Sequence, residues 1–243
     1  MYDERIIPDE TPIGIYSIHL KRYEFAASYV KDKLILDVAC GVGYGTRYLC
    51  DAGNQVIGVE IDAESIAYAQ NRYSQSGCTM FVRSDAMMMG FHSNQFDAVC
   101  SFETIEHMAD VDNFLKEVAR VLKPGGLFIV STPIVKDSNK NPDNPFHCQE
   151  WNPRDFKLLL EQYFGGVDLF SQYRRESRLS KWMKRVDIFA LRRHILPMVL
   201  VRKMAQITGG RSMDRLELSD IVICEGIVDE ASEIVVVASN ENY

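Results

Sequence analysis

Strand and helix alternate from residue 33 to residue 173, and that alternation limits the fold more than any other property of the chain. "KLILDVAC" at 33–40 and "QVIGVEI" at 55–61 are apolar runs. "TMFVRSDA" at 79–86, "FDAVCSF" at 96–102 and "LFIVSTP" at 127–133 continue the series. Apolar runs of this length read as strands buried on both faces, the mark of a parallel sheet. Helical patterns separate them. "TRYLCDAG" stops at Gly53, "DAESIAYAQNRYS" has Asp62 placed as its N-cap, and residues 110–122 end at "KPGG". Residues 16–30 predict a helix before the first strand and 153–163 one after the fifth. Residues 166–173 predict a sixth strand and "SEIVVVASN" at 232–240 a closing one. The expected class is a doubly wound α/β sheet.

A length of 243 residues suits one domain. Residues 174–228 are expected to form a helical insertion before the final strand. Its charge sets it apart: residues 173–215 hold 12 Lys and Arg against 3 Asp and Glu, in a chain of net charge −7. The overall acidity argues against a general nucleic-acid binder. The basic stretch 174–215 reads first as a lid with a solvated basic face, and second as a peripheral contact with an anionic membrane surface. Trp182, Met183 and Tyr173 in and beside it read as packing before acceptor lining. No apolar run is long enough to span a bilayer, and "MYDERIIPDE" lacks the apolar core of a signal peptide. Six cysteines without a C-x-x-C pattern are expected to be buried free thiols in a reducing cytoplasm. The localisation expected is therefore cytoplasmic, at most at the inner face of the membrane.

Two motifs carry chemistry. The first is "LDVACGVGYG" at 36–45, glycines placed where a strand passes into a helix. Such a turn lets a ligand approach the backbone closely. Glu60, at the end of the second strand, can accept both hydroxyls of a ribose. A dinucleotide fingerprint would need glycine at position 46, where Thr46 stands. The second motif is "ETIEH" at 103–107, two acids and a histidine at the end of the fourth strand. "NPFHCQEW" at 144–151 lies beyond the fifth. Together they place Glu103, Glu106, His107 and His147 on neighbouring lips of a cleft. Carboxylates with imidazoles suit general acid–base work or a divalent ion.

These residues resemble the class I S-adenosylmethionine-dependent methyltransferases. The likeness rests on the acidic residue and spaced glycines of "LDVACGVGYG" and on "FDAVCSFETIEHM…LKEVARVLKPGGLFIVSTP". It implies a seven-stranded Rossmann-like sheet whose last strand is antiparallel. It also implies a cofactor site at Asp37, Ala39, Gly41, Gly43, Glu60, Ile61, Asp85, Ala86 and Phe102. Ala39 stands where many members have glycine. By the same resemblance the N-terminal helix, with His19 and Tyr23, closes over the cofactor, and His19 is expected to be structural. The pairing of "ETIEH" with "H-x-x-E-W" is similar to the small-RNA 2′-O-methyltransferases. There such segments hold a divalent metal, which implies Glu103, Glu106, His107 and His147 as ligands of Mn, Mg, Fe, Co or Zn. A metal-free reading leaves His107 or His147 as general base. "HLKRYEFAASYV" with both motifs also resembles a bacterial group associated with cell-surface polysaccharide synthesis, which implies a carbohydrate or glycoconjugate acceptor. An RNA hydroxyl is the alternative. A nicotinamide oxidoreductase and a non-catalytic cofactor-binding subunit are the rivals from other classes.

Overall fold

The computed structural model describes residues 6–175 and 216–241. Helix α1 (Ile13–Tyr29) precedes strand β1 (Leu34–Val38). There follow α2 (Tyr44–Asp51), β2 (Gln55–Glu60), α3 (Ala63–Tyr73), β3 (Thr79–Arg83), β4 (Phe96–Phe102), α4 (Val111–Val121) and β5 (Leu122–Pro133). The chain then forms α5 (Pro153–Leu160), β6 (Val167–Arg174), β7 (Ile221–Glu225) and β8 (Glu233–Ser239). The sheet order is β3-β2-β1-β4-β5-β8-β6-β7. β1 to β5 are parallel, and β8 runs antiparallel between β5 and β6.

The doubly wound plan and the antiparallel closing strand are as expected, with one strand more. β7 pairs antiparallel with the outer edge of β6. The helical insertion expected over 174–228 therefore contains a strand at its described end. "IVICE" is a β-branched run that a free sheet edge captures, but five residues after a long helical pattern do not announce themselves. The basic stretch itself, with Trp182, Met183 and Pro197, lies outside the described residues from 176 to 215.

Burial on both faces of the sheet explains the apolar runs. Ile35, Ala98, Ile129, Val235 and Val237 pack with α1 and α2 on one face. Leu36, Val99, Phe128, Val130 and Val236 pack with α4 on the other. Side chains alternate across a strand, so a strand covered on both sides must be apolar at every position. α4 buries Val111, Phe114, Leu115, Val118 and Val121, one stripe at helical spacing. Each such side chain contributes about 1.5–3 kcal/mol when fully buried. Asp62 caps α3 as expected, its Oδ2 accepting from the Ser65 N–H at 2.8 Å. Among the described residues no helix is long and apolar enough to cross a membrane.

One expectation about cysteine is corrected. Cys50 and Cys78 are paired, with Cα atoms 5.7 Å apart. The end of α2 and the residue before β3 are remote in sequence and meet only because β2 and β3 lie side by side. Cys40 and Cys100 are buried free thiols, whereas Cys148 is free and exposed.

β1 and β4 are neighbours, but the chain leaves them in opposite directions across the sheet. The cleft of an open α/β sheet lies at such a switch point, beyond the carboxyl ends of the strands. Ala39 follows β1 with φ 58° and Glu103 follows β4 with φ 52°. Two non-glycine residues are thus held in the left-handed region at the two central strand ends, where local strain often marks a working site.

Candidate active site

The loop after β1 is bound on all sides. Asp37 is fully buried and accepts from Thr46 Oγ1 at 2.6 Å and from the Tyr23 hydroxyl at 3.2 Å. Burial pushes its pKa up to about 7, the two hydrogen bonds oppose that, and Glu60 adds to it. Asp37 thus anchors the loop to α1 and α2 from beneath. Thr46, which stands against a dinucleotide fingerprint, is the partner that makes this anchor.

The two loop glycines do different things. A Cβ on Gly41 would meet nothing within 4 Å, whereas one on Gly43 would run into the Phe81 ring at 2.6 Å and Ala69 at 2.8 Å. Gly41 offers open backbone to the cleft, and Gly43 lets the loop sit down on the core. Glu60 joins the loop to β2. Its Oε2 accepts from the Gly41 N–H at 3.1 Å, and its Oε1 accepts from the N–H groups of Ile61 and Asp62 at 2.8 and 3.0 Å. Beside it Ile61 is 60% exposed, an uncovered apolar surface at the strand end. Asp85 fixes the turn after β3 by accepting from the Met87 N–H at 2.9 Å. Ala86 packs against the core.

α1 supplies an aromatic wall. The Tyr23 ring meets Phe102 edge-on at 4.9 Å between centroids and Tyr44 at 5.8 Å, and Tyr16 meets Tyr44 at 5.3 Å. The N-terminal helix therefore packs on the glycine loop. His19 is half-buried beside Arg22, and desolvation more than that charge drives its pKa down to about 3. It is neutral, and its Nδ1 accepts from Arg22 Nη1 at 3.3 Å.

This end of the cleft fits S-adenosylmethionine. Open backbone at Gly41, a positioned carboxylate at Glu60 and the bare face of Ile61 would take its amino-acid, ribose and adenine parts respectively. All nine residues expected to serve the cofactor lie along this edge or directly beneath it.

The other end of the cleft is assembled from distant segments. Residues 105–107 form one short 3₁₀ turn after β4. The loop after β5 is stitched onto it: the N–H groups of Cys148 and Gln149 donate to the Glu106 carbonyl at 2.7 and 3.3 Å. The Glu106 side chain is buried and accepts from Thr132 Oγ1 at 3.1 Å. Burial, with Glu103 next in weight, raises its pKa to about 8.

The histidines face each other, ring centroids 4.9 Å apart and planes 82° apart. His107 Nδ1 lies 2.8 Å from the Phe146 carbonyl. A carbonyl only accepts, so the proton of this bond is on Nδ1. His147 Nδ1 lies 2.6 Å from Glu150 Oε1. Carboxylate or carbonyl support behind an imidazole is the usual setting of a metal-ligating histidine. One ligand atom from each of Glu106, His107 and His147 lies within 4.8 Å of the other two.

Glu103 does not join them. Its Oε1 accepts from Ser131 Oγ at 2.8 Å and lies 3.4 Å from Arg22 Nη2. Three of the four expected ligands thus converge and the fourth turns toward α1. Reading the chain missed Thr132, Ser131, Arg22 and Glu150. Only Glu150 left a signal, three residues after His147 in a motif already singled out.

The comparisons with known proteins bear on both ends of this cleft. Residues 36–130 match the family model described as "Methyltransferase domain". That match spans the glycine loop, Glu60, Asp85 and "ETIEH", and stops short of His147. A probable S-adenosylmethionine-dependent methyltransferase of Mycolicibacterium smegmatis is 32% identical over 57% of this chain and 54% of its own length. A second, from Mycobacterium tuberculosis strain H37Rv, is 31% identical over 65% of this chain and 58% of its own length. The chain thus spans just over half the length of these relatives. A solved S-adenosylmethionine-dependent methyltransferase of Thermotoga maritima superposes with a TM-score of 0.63, covering 94% of this chain and 91% of that one at 15% identity. The fold is that of a methyltransferase, and the relatives point to S-adenosylmethionine as the cofactor of this domain.

Proposed function

We propose that this chain is an S-adenosylmethionine-dependent O-methyltransferase. Its acceptor hydroxyl, carried by a carbohydrate or glycoconjugate, is activated at Glu106, His107 and His147 with the help of a divalent ion. The observation that carries this reading is the convergence of ligand atoms of those three residues within 4.8 Å of one another. When bound, S-adenosylmethionine supplies a methyl on a sulfonium leaving group, and a divalent ion supplies Lewis acidity that eases loss of the hydroxyl proton.

The chain's own residues do the rest. Glu60 and the loop at Gly41 fix one reactant, and the Glu106–His107–His147 cluster fixes the other. Positioning of this kind is a large part of catalysis when the leaving group is good. Two imidazoles and one carboxylate suit Mn²⁺, Fe²⁺, Co²⁺ or Zn²⁺ better than Mg²⁺. The carboxyl groups of Glu103, Glu106 and Glu233 crowd this end of the cleft around one buried arginine. They favour a neutral, hydroxyl-rich acceptor over an anionic one, and the net charge of −7 weighs against RNA.

A metal-free reading rests on the His147–Glu150 pair at 2.6 Å. A carboxylate there orients the imidazole as a general base, a role worth about 10²–10⁴-fold. One assay separates the two. Transfer of labelled methyl from S-adenosylmethionine to a panel of glycosides is measured with EDTA and after Mn²⁺ is restored. We expect methylation that EDTA abolishes and Mn²⁺ returns. Transfer that persists in EDTA selects the histidine base. Labelling of nitrogen or carbon acceptors alone rejects the O-methyl assignment.

A further inference from the structure

We infer that Cys50 and Cys78 form a redox-sensitive latch on the cofactor edge. As a disulfide the pair holds α2 and β3 in the arrangement that takes S-adenosylmethionine. As two thiols it releases that arrangement and weakens binding. The inference rests on the cofactor reading of the edge at Gly41 and Glu60 and adds a control over it.

Position is the first observation. Cys50 lies in the last turn of α2 and Cys78 directly before β3, with 28 residues between them in sequence and 5.7 Å between their Cα atoms. That span suits a disulfide without movement of the backbone. Both halves are anchored. Cys50 packs among Leu49 and Val56, and the Cys78 carbonyl accepts from the Val56 N–H at 2.9 Å. The turn that delivers Cys78 is tied down by Thr79 Oγ1, which donates to the Tyr73 carbonyl at 2.9 Å.

What the bond closes is the second. α2 begins from Gly43 on the glycine loop, and there it rests on β3: a Cβ on Gly43 would lie 2.6 Å from the ring of Phe81, the middle residue of β3. α2 and β3 thus touch at one end through Gly43 and Phe81 and are joined at the other through Cys50 and Cys78. The result is a closed frame. β3 is an edge strand paired with β2 alone, and the disulfide is a second, covalent hold on it. Past β3 the Ser84 N–H donates to the Glu60 carbonyl at 3.0 Å, and Arg83 Nε donates to the Ile61 carbonyl at 2.9 Å. A shift of β3 therefore reaches the glycine loop, Glu60 and Ile61 together.

Access is the third. Cys50 is 4% exposed and Cys78 half-buried, so a reagent meets Cys78 first. The oxidant is a small-molecule disulfide. The Cys78 thiolate attacks one of its sulfurs and expels the other as a thiolate, leaving a mixed disulfide. Cys50, as thiolate, then attacks Cys78 Sγ and expels the second small thiolate. The two protein thiols together lose two electrons and two protons, and the reagent ends as two thiols. Excess small thiol runs the same exchange backwards.

The test uses the full chain, with S-adenosylhomocysteine titrated by calorimetry after incubation in glutathione disulfide or in dithiothreitol. We expect affinity to fall about fivefold or more on reduction, the lower end of ordinary coupling between two sites. Cys78→Ser should bind like the reduced wild type in both conditions, with its circular dichroism unchanged. Coupling is reciprocal. Saturating S-adenosylhomocysteine should therefore favour the disulfide by the same factor, read by alkylation and mass spectrometry as a shift in the ratio of squared glutathione to glutathione disulfide at half oxidation. Equal affinity in the two states overturns the inference. So does a redox response that survives in Cys78→Ser, which would place it on the free thiols of Cys40, Cys100, Cys148 or Cys224. Unfolding of the reduced chain would make the bond a structural staple and overturns it as well. A chain that binds no S-adenosylhomocysteine in either state is a different result, which sinks the cofactor reading and the inference with it.

Discussion

The two ends of the cleft are built on different plans. At the cofactor end the working groups lie at two neighbouring strand ends: open backbone at Gly41 after β1, and the side chains of Glu60 and Ile61 at the end of β2. Gly41, Glu60 and Ile61 are knitted together by N–H groups within a few residues of each other or one strand away. At the acceptor end the working groups are side chains carried by segments far apart in sequence. Glu106 leans on Thr132, His107 on Phe146 and His147 on Glu150, and Glu103 is backed by Arg22. A site tied together by such short-range bonds takes one ligand shape. A side-chain site can be refitted to a new acceptor by exchanging a few residues.

If that contrast is real, the two ends fail independently. The largest effect expected is from Glu60→Ala. It removes the carboxylate for the ribose and the tie to the Gly41 N–H, and hydrogen bonds to a charged group are worth about 1.5–3 kcal/mol each. Affinity for S-adenosylhomocysteine by calorimetry should fall by about 10²–10³-fold, with Mn²⁺ affinity unchanged. Comparable damage to both would show one coupled site.

Glu150→Gln tests the other end. Loss of the carboxylate behind a ligating histidine costs about 10–100-fold in metal affinity. Mn²⁺ binding followed by its electron paramagnetic resonance signal should weaken by that factor while S-adenosylhomocysteine binds as before. A variant with wild-type Mn²⁺ affinity would leave Glu150 a surface partner only.

The smallest effect is on stability. Burial raises the Asp37 pKa from the ordinary carboxylate range to about 7. Between those two values the folded chain binds more protons than the unfolded one, so this group's contribution is present at low pH and lost as pH rises through about 7. Asp37→Asn removes the dependence. Melting temperatures between pH 5.5 and 8 should fall more steeply with pH in the wild type than in the variant. Parallel curves would mean that Asp37 stays ionised throughout.

The same contrast explains what could be read beforehand. Apolar runs and glycines announce strands and a backbone loop directly, so the sheet and the glycine loop tied to Asp37 and Glu60 were legible. Side-chain partners are not announced. Nothing in "HLKRYEF" says that Arg22 will be buried against Glu103, because that contact depends on where α1 crosses the sheet. Glu103 lies outside the converging three for that reason: "ETIEH" fixes the order of its acids but not their direction, and Glu103 bonds Ser131 and faces Arg22. β7 escaped because a short edge strand needs only a partner, and the pairing of Cys50 with Cys78 because two distant segments had first to be brought together.

The central claim is that Glu106, His107 and His147 hold a divalent ion beside the cofactor. Calorimetric titration of Mn²⁺ into the chain saturated with S-adenosylhomocysteine, repeated on His147→Ala, tests it most directly. The account predicts saturable binding to the wild type that disappears in the variant. Equal binding to both, or none to the wild type, would contradict it and leave the two histidines as a metal-free base pair.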